Sequence, residues 1–183
     1  MDPLVSPLWK RLDVPGHDAC VIEAVPGGWR MTGQAVFLDP AGPAALRYIV
    51  ECDSGWISRV GRIEGHIGAR PFEAAIRNRD GRWFLDGEPA PAVEGRFDLD
   101  LGFTPATNFL HLRRENLAVG ETRDIDVAWF DVDQPLTCLP QTYERLTETT
   151  YRYASPTAGY EAVLEMGPNG IVTHYPTLWR AEP

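Results

Sequence analysis

The sequence lacks the features that mark several large classes of protein. Its 183 residues contain no run of about 18 apolar residues, so no segment is predicted to span a bilayer. Lys and Arg number 17 against 26 Asp and Glu, and the longest basic cluster is Arg113-Arg114. This acidic balance, a net charge of −9, argues against nucleic acid or an anionic membrane surface as a partner. The first ten residues lack a basic region followed by an apolar core, so no secretory signal is predicted.

Cysteine and histidine are scarce and irregularly spaced. Cys20, Cys52 and Cys138 are odd in number and never form a CxxC motif, so we expect reduced thiols in a cytoplasmic protein. The four histidines show no metal-ligand spacing. Phosphate-binding loops, dinucleotide fingerprints and GxSxG elbows are missing as well. The sequence therefore predicts no metal ion and no cofactor.

The chain is rich in the residues that separate short strands. The 17 glycines and 16 prolines are spread along its length, and strand-like segments lie between them. For example, Leu46, Tyr48, Val50 and Cys52 alternate with Arg47, Ile49 and Glu51, and the turn signal Asp53-Ser54-Gly55 follows. No linker interrupts this pattern, so residues 1–183 are predicted to form a single, mainly β domain.

One segment, residues 104–114, breaks the strand rhythm. Thr104 can cap free N–H groups, and Pro105 suits the first helical position, where its missing N–H is harmless. The two arginines at positions 113 and 114 suit the last turn of a helix. The flanking residues are apolar, so we expect a single α-helix enclosed by a long antiparallel sheet.

Paired carboxylates are the first candidates for chemistry. Asp98 and Asp100 flank Leu99, and on a strand they would share one face with Cα atoms roughly 6.5 Å apart. That face either points inward, where two like charges suit acid–base chemistry or binding, or points to water on a half-exposed sheet. Glu51 and Asp53 repeat the spacing, but Asp53 is expected to begin a turn. The sequence also has six tryptophans and six tyrosines, which suit either a core or a sugar- or lipid-binding pocket.

Several short motifs occur in a fixed order along the chain. The most distinctive is Asp100-Leu101-Gly102-Phe103-Thr104-Pro105-Ala106-Thr107-Asn108. The others are residues 48–53, Trp56, Arg59-Val60, residues 80–83, Trp129, residues 141–143, residues 151–153 and residues 175–180. Together they resemble a family of bacterial glycolipid-binding proteins that was formerly a domain of unknown function. The resemblance extends from about Ala19 to Arg180.

The resemblance implies a fold, an assembly and a site. The fold is a long antiparallel sheet that forms a half-open barrel around a single central α-helix, remotely like lipoprotein-localisation factors, and the assembly is a homodimer. The site is an acidic pocket that holds an acyl chain and a sugar head group. Carried onto this sequence, the pocket would use Glu51, Asp98 and Asp100, and the matching stretches add Arg59, Asn108, Arg113 and Tyr175 as candidate ligand-binding residues.

Two functions remain open from the sequence. The first is binding of a glycolipid or another amphiphilic small molecule, without turnover, in glycolipid metabolism. The second is a carboxylate-dependent hydrolase acting on a glycosyl or lipid-linked substrate, which would need two carboxyls roughly 6.5 to 9.5 Å apart on opposite sides of the scissile bond. Glu51 facing Asp98 or Asp100 from another strand would supply such a pair. We expect binding rather than catalysis.

Overall fold

Most of the chain forms one long β-sheet. The structure is a computed structural model, and it describes residues 5–183. Within that range it contains one fifteen-stranded sheet, two short 3-10 helices (Pro91–Val93 and Pro156–Ala158) and one α-helix, α1, Asn108–Glu115. The strands are β1 Leu8–Arg11, β2 Gly16–Val25, β3 Gly28–Asp39, β4 Gly42–Asp53, β5 Ser58–Ile67, β6 Arg70–Arg79, β7 Arg82–Leu85, β8 Glu88–Pro89, β9 Leu99–Leu101, β10 Thr122–Phe130, β11 Thr137–Arg145, β12 Thr150–Ser155, β13 Tyr160–Met166, β14 Val172–Tyr175 and β15 Trp179–Ala181.

The sheet consists of two meanders that meet at the first strand. Each strand from β1 to β8 pairs antiparallel with the next, and the strands from β10 to β15 do the same. Strand β1 also pairs with β15, so the spatial order runs from β8 through β1 and β15 to β9. The two edges do not pair, and the sheet is strongly curved but not closed into a barrel. The predicted mainly β fold is confirmed, with one difference: β9 pairs parallel with β10, so the sheet is mixed.

Alternating side chains build the inner face of the sheet. In β4, Leu46, Tyr48, Val50 and Cys52 are buried, as the alternation predicts, because successive side chains of a strand point to opposite faces. Tyr48 crosses directly over Gly33 of β3. A Cβ at Gly33 would lie 2.2 Å from the tyrosine ring, so the ring fits only because this position has no side chain.

Helix α1 begins at Asn108, three residues after the predicted start at Pro105. In the segment between them, the Thr104 hydroxyl accepts a backbone N–H two residues further on, at 3.0 Å. The N–H groups of Phe109 and Leu110 bond to carbonyls three residues back, which is the tighter 3-10 pattern. Asn116 ends the helix in the left-handed conformation, with φ 46°. The first five helical residues are buried, so the curved sheet encloses the helix as expected. None of the helices found between residues 5 and 183 has the length and apolar character that a membrane-spanning helix needs.

Candidate functional site

A cavity of about 610 Å³ lies between the start of helix α1 and the second meander of the sheet. Its walls come from β9, β10, β11 and the strands β12 to β15, together with the 3-10 helix Pro156–Ala158 at its mouth. The lining residues are mostly aromatic, aliphatic or uncharged polar. They are Asp100, Leu101, Gly102, Thr104, Asn108, Trp129, Gln134, Thr137, Cys138, Leu139, Tyr153, Thr157, Ala158, Tyr160, Tyr175, Leu178 and Trp179. This size and lining suit a small amphiphilic molecule.

Asp100 is the carboxylate that lines the cavity. Its side chain is almost fully buried, and both of its hydrogen-bond partners are neutral. Thr107 Oγ1 donates to Oδ1 at 2.7 Å, and Gln141 Nε2 donates to Oδ2 at 2.7 Å. Each carboxylate oxygen has two lone-pair sites, so each can accept one further hydrogen bond. Asp100 is therefore able to accept hydrogen bonds from a ligand in the cavity.

Asp98 is buried as well, but it has a different role. Arg114 of helix α1 binds it in a forked arrangement, with Nε 2.9 Å from Oδ1 and Nη2 2.6 Å from Oδ2. Burial of a carboxylate costs free energy unless a cation compensates it, and this guanidinium does so. The two carboxylates that the sequence pairs thus separate in the structure: Asp98 links the residue before β9 to the helix, whereas Asp100 lines the cavity.

A buried polar network supports the cavity floor behind Asn108. Asn108 Nδ2 donates to the Tyr143 hydroxyl at 2.7 Å, and His111 Nε2 lies 3.0 Å from the same oxygen. Burial holds the pKa of His111 below its usual value, so the neutral imidazole is favoured, and burial raises the pKa of Tyr143 well above its usual value. The network fixes the orientation of the Asn108 side chain, which lines the cavity.

Three tyrosines form an aromatic wall of the cavity. The ring centroid of Tyr153 lies 5.9 Å from that of Tyr160 and 5.6 Å from that of Tyr175, and the last two rings are 5.4 Å apart. Burial and the nearby Asp100 charge raise the pKa of Tyr153 to about 12. The rings are therefore neutral, with hydroxyls able to donate, at neutral pH.

Asp18 is a buried carboxylate that the sequence reasoning missed. Tyr48 Oη donates to Asp18 Oδ2 at 2.9 Å, and Thr104 Oγ1 donates to the same oxygen at 2.6 Å. The other oxygen, Oδ1, is buried and has no hydrogen-bond partner. Burial raises the pKa of Asp18 from 3.8 to about 7, and the two hydroxyls only partly oppose this shift. Through Thr104, Asp18 anchors the segment that forms part of the cavity wall. The signal was present in the sequence, because Asp18 alternates in phase with the buried residues Cys20 and Ile22.

The structure places the other predicted site residues away from this cavity. Glu51 accepts hydrogen bonds from Arg30 across the sheet at 2.8 and 2.9 Å. Arg59 donates to Asp53. Asp53 also accepts a hydrogen bond from the N–H of Gly55, so it begins a turn, as predicted. None of these four side chains lines the cavity.

Arg113 lies on a different side of the helix. Its guanidinium packs over the Phe109 ring and donates to the carbonyl of Asn169 at 2.8 Å. It lines a separate cleft of about 320 Å³ near the end of helix α1. Asp100, Asn108 and Tyr175 are therefore the predicted residues that the structure brings together.

An open, curved sheet encloses one helix, and a cavity with polar and apolar walls lies beside the start of that helix. These features define a β-rich binding protein. The sequence model of the family described as "Putative glycolipid-binding" matches residues 7–181, so the chain belongs to this family. The structure is similar to the crystal structure of a DUF1089 family protein from Pseudomonas aeruginosa, with a TM-score of 0.77 and 25% sequence identity. The similarity covers 89% of this chain and 91% of that chain. No curated protein matches the sequence.

Proposed function

We propose that this protein binds a glycolipid, with the sugar head group against Asp100 and Asn108 and the start of the acyl chain along the aromatic wall. The observation that carries the proposal is the coexistence in one cavity of a buried carboxylate with neutral partners and a wall of tyrosine and tryptophan rings. Family membership supports the same class of ligand.

The polar end of the cavity suits a sugar. Sugar hydroxyls are good donors, and hydrogen bonds to an ionised carboxylate are roughly twice as strong as those between neutral groups. Asp100 offers two free acceptor positions, and the Asn108 side chain is held in place by Tyr143. Pre-oriented partners of this kind reduce the entropy lost when the sugar binds.

The apolar part of the cavity suits a hydrocarbon chain. Each buried CH₂ contributes about 0.8 kcal/mol, so an eight-carbon chain contributes up to about 6 kcal/mol if it is fully enclosed. Leu139, Leu178 and the Trp129 ring supply apolar surface in the cavity, and all three are half-buried. A ligand that covers them removes further apolar area from water.

Titration with n-octyl β-D-glucoside below its micelle concentration tests this proposal. Ala158 is exposed at the cavity mouth, so Ala158→Trp should block entry and weaken binding at least tenfold in isothermal calorimetry. Val163→Trp is the matched control, because Val163 is 45% exposed and faces outward from β13. Equal binding by the wild type and Ala158→Trp would remove the cavity as the site, and so would a loss of binding in Val163→Trp alone.

We further propose a homodimer, as the family resemblance implies. The sheet is open, and its edge strands β8 and β9 have no partner strand beyond them within the described chain. Unpaired edges are prone to association, and a symmetric dimer would cover them. Light scattering during size-exclusion chromatography should give twice the mass of 20.4 kDa, and a monomer mass would contradict the proposal.

A further inference from the structure

The charge on the described cavity lining is of one sign, which is negative. Asp100 is the one acidic residue among the described residues that line it, and no Lys, Arg or His lines it. A second carboxylate, Asp131, lies next to the wall residue Gly102, since a Cβ at that glycine would meet Asp131 Oδ2 at 2.4 Å. The cavity therefore presents negative charge to whatever enters it.

Two arginines that contact the lining from outside are already paired with acids. Arg11 packs over the Trp179 ring, but its Nε donates to Asp13 at 2.8 Å. Arg96 donates to Cys138 Sγ at 3.4 Å, while its Nη2 lies 3.2 Å from Asp126. Neither guanidinium bonds to Asp100, whose partners are a hydroxyl and an amide. Asp98, two residues before Asp100 in the chain, differs in this respect, because Arg114 neutralises its charge.

The aromatic wall also favours positively charged ligands. The faces of tyrosine and tryptophan rings carry partial negative charge and attract ammonium groups within about 6 Å of the ring centre. Tyr153 and Tyr175 lie close enough to Asp100 for its charge to raise the pKa of both phenols, in addition to the larger effect of burial. A carboxylate without a cation, set beside such rings, is the arrangement that recognises amines.

We propose that the cavity selects amphiphiles whose head group carries a protonated amine, such as an amino sugar, and disfavours anionic head groups. This inference rests on the proposed glycolipid-binding function and narrows its ligand class. The ammonium would donate to the free acceptor positions of Asp100 and contact the tyrosine faces. An anionic group would bring two negative charges together in a site with no lining cation.

Three probes of equal chain length test the inference at pH 6, where the amine is protonated. They are octyl 2-amino-2-deoxy-β-D-glucopyranoside, n-octyl β-D-glucoside and sodium octyl sulfate. Because the ammonium carries a full positive charge that the glucoside hydroxyl lacks, its Coulomb attraction to the Asp100 carboxylate should make the amino glycoside bind about tenfold more tightly than the glucoside. Octyl sulfate should bind at least tenfold more weakly than the glucoside.

The variant Asp100→Asn tests whether Asp100 causes the preference. Thr107 can still donate to the Asn oxygen, and the Gln141 amide can rotate so that its Oε1, which is buried without a partner, accepts from the new amide. The variant should therefore fold, and it should bind both glycosides within about twofold of each other. Asp133→Asn is the matched control: it removes one negative charge from an exposed residue outside the cavity lining, so it should keep the preference.

The outcomes separate the two proposals. Absence of binding by octyl glucoside would contradict glycolipid binding itself. Equal affinity of the wild type for the two glycosides, or for octyl sulfate and octyl glucoside, would overturn the amine inference and leave the proposed function intact. A tenfold preference that survives in Asp100→Asn would overturn the role of Asp100.

Discussion

The variant Asp18→Asn should change how the free energy of unfolding depends on pH. Burial raises the pKa of Asp18 from 3.8 to about 7, so the folded state holds a proton that the unfolded state has released over this interval. The stability from this group is fully present below about pH 4 and is lost as the pH rises towards 7. The shift of about three pKa units corresponds to roughly 4 kcal/mol. Asn cannot ionise, so the variant should not lose this stability as the pH rises.

Urea titrations followed by tryptophan fluorescence at pH 4, 5.5, 7 and 8.5 would measure the effect. The difference in unfolding free energy, variant minus wild type, should rise by up to about 4 kcal/mol between pH 4 and pH 8.5. The difference in unfolding free energy at pH 4 has a separate cause, because the Asn amide occupies the position of an oxygen that has no partner. Only the change in this difference with pH reports the ionisation of Asp18. Comparison within one pair of proteins removes the contributions of other carboxyls.

Asp131→Asn provides a graded comparison. Burial raises the pKa of Asp131 from 3.8 to about 6, a smaller shift in the same direction. The corresponding difference should therefore be roughly 3 kcal/mol and should level off near pH 6 rather than near pH 7. Parallel pH profiles for the wild type and Asp18→Asn would refute the argument that Asp18 is held in a costly buried position.

Three further perturbations probe the packing and the cavity. Arg114→Met leaves Asp98 buried without a cation, and urea titration should show a loss of about 3–5 kcal/mol. Gly33→Ala drives a methyl group into the Tyr48 ring, which should cost about 1–3 kcal/mol in the same assay. Cys138 lines the cavity and is partly exposed, so N-ethylmaleimide should modify it before the two buried cysteines, and octyl glucoside should slow the reaction.

Each of these results can contradict the structure. A loss below about 1 kcal/mol for Arg114→Met would mean that Asp98 is hydrated rather than buried. An unchanged free energy of unfolding in Gly33→Ala would mean that the Tyr48 ring does not cross that strand. Alkylation of Cys138 at the same rate with and without saturating octyl glucoside would place the glucoside elsewhere.

The sequence predicted the fold better than the site. Alternation in β4 and the capping residues near position 104 identify strands and a helix from local spacing, and both are found. The segment before the helix makes a tertiary contact: the Thr104 hydroxyl bonds to Asp18, which lies 86 residues away in the chain. Local patterns carry no information about such a contact.

The carboxylates show why the site was harder to predict. Alternation could not assign the faces of Asp98 and Asp100, because β9 is buried on both faces, with Leu99 packed at Gly61 of β5. Glu51 lies in a motif that resembles the family, yet the cross-strand partner that it meets is Arg30. Only the tertiary structure, which pairs β3 with β4 and brings Arg114 of helix α1 to Asp98, distinguishes a residue in an ion pair from one that lines the cavity.

A crystal structure of the protein with n-octyl β-D-glucoside tests the central claim most directly. The account predicts a glucose ring in the cavity, with a hydroxyl within hydrogen-bond distance of Asp100 and the octyl chain beside the tyrosine rings at positions 153 and 175. A glucoside bound elsewhere on the protein, with this cavity empty, would contradict it.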